Sequence, residues 1–162
     1  MTVSRLKALA AVLLLGSVAL PQSTCAGYRA PDGKFVVQVP RSAPRGAYEP
    51  MVERHYAFTD FQPTDPGSWL KIGAFLWPLP LLVVAARTRS ARLHAYISVA
   101  EPVLALGAGF VTWYSASIFA TPAVGAYVAV GALAVYFVAS AFDLWRGWRS
   151  PAAPVERRLT SA

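Results

Sequence analysis

Residues 102–142 read PVLALGAGFVTWYSASIFATPAVGAYVAVGALAVYFVASAF, a run of 41 positions without one charged side chain. That is too long for a core helix, and a membrane crossing needs about 20 apolar residues. The stretch therefore predicts two crossings. The pair Thr121-Pro122, a cap residue followed by a proline suited to a first helical turn, lies between them. The helices are expected over about 99–118 and 123–145. Small residues recur along both: Ala105, Gly109 and Thr112 on the first, then Gly125, Ala129 and Ala132 on the second. Spacings of four and three place each set on one helical face, and small faces let membrane helices approach closely. These six residues are the candidate packing seam of an antiparallel hairpin.

Composition agrees with a bilayer setting. Of 162 residues, 56% are hydrophobic and only 14% charged, with mean hydropathy +0.43, which is membrane-protein composition. The net charge of +7 raises the question of nucleic acid, but its placement answers it. Residues 27–68 hold five basic and five acidic side chains. The excess sits beside apolar segments, at Arg5 and Lys7, at Arg87, Arg89 and Arg92, and at Arg146, Arg149, Arg157 and Arg158. That is the positive-inside pattern, so the expected partner is the lipid bilayer and not nucleic acid.

Glu101, at the upstream edge of the uncharged run, admits two readings. In one, the helix starts near Leu93 and buries the carboxylate about 10 Å deep, which by default marks a functional site. His94 then shares its face as a relay partner, with an arginine such as Arg92 as the alternative contact. In the other, Ser98-Val-Ala-Glu101 has the spacing of a capping box. Ser98 caps, Glu101 sits at the interface, and the helix has ordinary length. The second reading is preferred because it spares a buried charge. Glu101 and His94 remain the candidate intramembrane polar site.

Upstream, residues 69–86 predict the first retained crossing. Asp65 can cap it, Pro66 suits its first turn, and Trp69 fits an interfacial belt. Pro78 and Pro80 withhold donors from the carbonyls of Ala74 and Leu76, so a kink is expected. Past the uncharged run, Asp143 and Arg146, beside Trp145 and Trp148, predict an interfacial ion pair. Residues 150–162 lack apolar periodicity and are expected to form a disordered cytoplasmic tail.

Residues 1–26 resemble a secretory signal: a basic start, an apolar run over 8–20, then Pro21 and small residues that permit cleavage after Ala26. An uncleaved anchor is the alternative. Cys25, the sole cysteine, matches a lipobox poorly and excludes an intrachain disulfide. Residues 27–68 are then an extracytoplasmic arm with six prolines. Its Ala30-Pro31-Asp32-Gly33 is a turn, and 35–39 is a single β-prone run that needs a partner edge. Tyr48, Arg54, Tyr56, Phe58 and Phe61 are candidate partner-docking residues, because aromatics and arginine dominate interface hot spots. His55 with Glu53 and Asp60 is too sparse for a metal site.

The expected fold class is an all-α membrane protein: a signal segment, a short irregular or β extracytoplasmic arm over 27–68, and a three-transmembrane-helix bundle over 69–149. The expected setting is a bacterial inner membrane, multi-pass, with the C-terminus cytoplasmic. No catalytic, cofactor or metal motif stands out. The expected function is a structural, accessory or assembly subunit of a larger membrane complex. Its partners are other membrane subunits or copies of itself. A small oligomeric proton-coupled transporter using Glu101 is the alternative.

Overall fold

The computed structural model describes residues 2–44, 46–58, 61–118 and 120–149. The expected tail over 150–162 and the carboxylate Asp60 lie outside the described residues. In chain order the elements are α1 (Val3–Ser17), β1 (Pro21–Arg29), β2 (Phe35–Val36), β3 (Glu49–Tyr56), α2 (Pro66–Leu76), α3 (Pro78–Arg87), α4 (Ala91–Ser117), β4 (Thr121–Pro122) and α5 (Val124–Arg149). The protein is mostly helical, at 62%, with a small sheet.

α4 and α5 are each long and apolar enough to cross a membrane. α2 and α3 would add a third crossing if the bent pair counts as one span; they meet at 46°. The bend has the cause read from the prolines. Trp77 N–H still donates to Gly73 O, and Pro78 and Pro80 then have no N–H to continue the ladder. Only 28% of the apolar window of α4 and 44% of that of α5 are buried, so most of that surface faces outward. Exposed aromatics mark two levels. Tyr127 and Trp145 on α5 are both exposed, about 27 Å apart along the axis at 1.5 Å per residue. Trp69, Trp113 and Tyr114 sit at the first level, and Tyr96 and Trp148 at the second. The separation suits a hydrocarbon core of about 30 Å.

The interior is built from alanine. Ala10 and Ala11 of α1, Ala105 of α4 and Tyr136 of α5 form one buried cluster. Leu14, Ala74, Phe75, Ala108, Ala129, Ala132 and Leu133 form another. α1 therefore packs as a member of the bundle, chiefly along α5.

Two expectations change here. α4 starts at Ala91, capped by Ser90, whose Oγ accepts from Leu93 N at 3.5 Å. Ser98 is no cap: its hydroxyl donates back to His94 O at 2.9 Å, within the helix. The capping box fails because helix continues through residues 91–98, which leaves Glu101 in mid-helix.

The arm is no irregular appendage. β1 is central, pairing antiparallel with β3 over eight residue pairs, from Pro21↔Tyr56 to Arg29↔Glu49. β2 and β4 share its other edge at opposite ends. Only Phe35 and Val36 of the expected run are strand, paired with Arg29 and Tyr28. Their hairpin turns at Ala30–Gly33, where Gly33 N donates to Ala30 O at 2.8 Å and takes φ +82°. Thr121-Pro122, expected to open a helix, forms β4 against Thr24 and Ser23. Thr24 Oγ1 and Thr121 Oγ1 lie 2.8 Å apart, and Ala123 N donates to Gln22 O at 2.9 Å. The α4–α5 turn is thereby tied into the sheet.

Candidate functional site

Three helices converge on Glu101, which is 3% exposed. Lys7 of α1, 8% exposed, places its Nζ 2.6 Å from Glu101 Oε2 and 2.8 Å from Asp143 Oδ2. Tyr136 donates its hydroxyl to Glu101 Oε1 at 3.0 Å, and Ser140 donates to Oε2 at 3.2 Å. Tyr136, Ser140 and Asp143 follow one another on α5 at spacings of four and three, one helical face. The ring of Tyr136 is held edge-on by Trp77 at 5.1 Å, at the α2–α3 bend.

A carboxylate this buried is costly unless it is paired and hydrogen-bonded. Here it has one cation and two hydroxyl donors. Asp143, with its side chain 37% exposed, leads from the cluster to the second aromatic level. Chemically the arrangement can clamp three helices in register, or hold a proton on a chain of acidic and basic groups.

Of the sequence candidates, Glu101 lies at the centre of this cluster. His94 does not join it: it is exposed, and its ring nitrogen faces Thr88 O at 3.2 Å. The cation is Lys7, not an arginine. Ala105, Ala129 and Ala132 are buried in the core. Gly125 is buried too, but its neighbour is the α1–β1 junction. A Cβ there would lie 2.7 Å from Pro21 O and 2.8 Å from Leu20 O. Gly109 is half-buried and opens onto space: a Cβ at that position would meet nothing within 4 Å among the described residues. Arg54 and Tyr56 project from the outer sheet face with Pro50 and Val52, and Phe58 follows in the turn beyond. Tyr48 and Phe61 are half-buried, and Phe61 packs edge-on to Trp69 at 5.1 Å.

Sequence reasoning missed Lys7, Tyr136 and Ser140 as members of one site. The polar stripe 136–140–143 was a usable signal. Lys7 offered none, because a lysine before an apolar run is the ordinary start of a signal segment.

A second feature lies at the other end of the bundle. A cavity of about 340 Å³ opens between the sheet and the facing ends of α2 and α4. No cluster of three potential metal ligands occurs among the described residues. No family model, curated protein or solved structure matches the chain.

Proposed function

We propose that this protein is a structural or accessory subunit of a larger membrane assembly, with α1 retained as a working helix. One observation carries the reading. Glu101, the residue best suited to transport chemistry, accepts from Lys7, Tyr136 and Ser140, and so serves to join α1, α4 and α5. Cleavage after Ala26 would remove Lys7 and most of the central strand, leaving Glu101 buried without its cation. With α1 crossing outward, the arginine clusters fall on one side, the sheet on the other, and both termini are cytoplasmic. The outer sheet face, with Tyr28, Val52, Arg54 and Tyr56 exposed, is the surface offered to a partner subunit.

The proton-coupled reading keeps one favourable observation, the contiguous chain from half-exposed Asp143 through Lys7 to Glu101. Affinity purification in mild detergent with mass spectrometry of the intact complex separates the two. The accessory reading expects stoichiometric foreign subunits that are lost on Arg54→Glu. A homo-oligomer alone, with liposome proton flux abolished by Glu101→Gln, would replace it with the transport reading.

A further inference from the structure

The cavity at the sheet end has a composition that the accessory role does not use. Its walls come from β1, the end of β3, one face of α2 from Ser68 to Phe75 and the last turns of α4. α4 contributes Val111, Thr112, Ser115 and Ala116, which flank the exposed Trp113 and Tyr114. α2 contributes Ser68, Lys71 and Phe75, around the exposed Trp69. The cavity thus lies level with the first aromatic belt, where a bilayer passes from hydrocarbon to headgroup. Its volume falls in the range of small-molecule sites.

Two buried polar groups on its walls lack partners among the described residues. Thr112 is 5% exposed, and its Oγ1 makes no hydrogen bond there. Gln22 is 9% exposed, and its Oε1 makes none either, although its Nε2 donates to Ser17 O at 2.7 Å. The register slip between Pro21 and Ser23 in β1 lies at Gln22, and such bulges re-aim a side chain. Unpaired buried polar atoms are uncommon and call for an occupant. An amide oxygen accepts only, and a hydroxyl both donates and accepts, so a ligand hydroxyl, able to donate and to accept, complements both. The rest of the wall is mixed: Phe75, Val111 and Phe61 give it an apolar stretch, while Ser68, Lys71, His55 and Ser115 add polar groups suited to a hydroxylated end.

We infer that this cavity binds a single-chain amphiphile whose polar end carries free hydroxyls, of the monoacylglycerol type, drawn from the surrounding leaflet. The chain lies against Phe75 and Val111, and the hydroxyls meet Thr112 and Gln22. The inference rests on the retained N-terminal segment of that reading and not on the accessory role.

Cys25, the sole cysteine, lines the same cavity and is its built-in reporter. The full chain in phosphatidylcholine nanodiscs is alkylated with N-ethylmaleimide while 1-monolauroylglycerol is titrated in. The expected result is saturable slowing of Cys25 alkylation, reproduced by neither glycerol nor dodecane. Thr112→Val, which keeps shape and removes the hydroxyl, should raise the half-protecting mole fraction about threefold to tenfold. Ala116→Phe, which fills the cavity, should abolish protection, with thermal melting checking that each variant is folded. An alkylation rate indifferent to the probe overturns the inference. So does protection that dodecane matches or that Thr112→Val leaves unchanged, the result expected of a site holding water only. Absence of Cys25 from the mature chain overturns it as well, because Gln22 leaves with it.

Discussion

At the scale of single residues, Lys7 and Glu101 are asymmetric partners. Lys7 touches two carboxylates, so Lys7→Met strands both, one of them fully buried. Removing one member of a buried pair costs about 3–5 kcal/mol, mainly through the charge left behind. Glu101→Gln is milder: Tyr136 can still donate to the amide oxygen, and Lys7 keeps Asp143. The combination Lys7→Met with Glu101→Gln should recover much of the loss in Lys7→Met. Thermal unfolding of the four proteins in one detergent measures this as a double-mutant cycle. Additive losses would show that the pair is not coupled.

Asp65, just ahead of α2, gives a pH-dependent residue. Its carboxylate caps α2, accepting from Gly67 N at 3.1 Å and from Ser68 N and Oγ at 2.9 and 3.0 Å. The Gly67 N–H above all, then the Ser68 hydroxyl, holds its pKa below the ordinary carboxylate value. The folded value is the lower one, so the contribution is present above the unfolded pKa, about 3.9. It is lost as pH falls through the folded value. Protection of the Gly67 and Ser68 amides against hydrogen exchange should therefore collapse in acid. Asp65→Asn should keep neutral-pH protection and lose this acid step.

At the scale of elements, two glycines on neighbouring helices separate packing from mere smallness. Gly125 on α5 admits the backbone of the α1–β1 junction, and a methyl group there meets carbonyl oxygens that cannot yield. Gly125→Ala should destabilise by about 1–3 kcal/mol. Gly109→Ala on α4 enters open space and should be neutral, or stabilising by up to about 1 kcal/mol, since alanine suits a helix better. Melting temperatures of the two variants check the ordering. Both glycines sit on a small-residue stripe, so periodicity alone could not rank them. The sheet was harder to read. β1 runs Pro-Gln-Ser-Thr-Cys-Ala-Gly-Tyr-Arg, with none of the β-branched alternation that marks a strand. It is a strand because β3, distant in the chain, supplies its partner groups.

At the scale of the molecule, the decisive question is whether the first 26 residues stay. Lys7, Ala10, Ala11, Leu14 and Ser17 are buried, and β1 crosses the expected cleavage point without interruption. Intact mass spectrometry of the membrane-extracted protein should return the chain with residues 1–26 largely present. A mass beginning at Gly27 would remove the clamp and the centre of the sheet together, and with them the retained-helix reading.

The residues alone were enough to show two segments long and apolar enough to cross a bilayer. The uncharged run, the flanking arginines and the proline break follow from composition and short-range spacing, since transfer of apolar side chains and missing N–H donors act locally. Which polar groups meet was legible only once the chain had folded. Lys7 and Glu101 are 94 positions apart, and Gln22, Thr112 and the sheet strands come together from across the chain. A buried charge chooses its partner by three-dimensional proximity, which no periodicity encodes. For that reason Glu101 could be singled out from the sequence, whereas its cation could not.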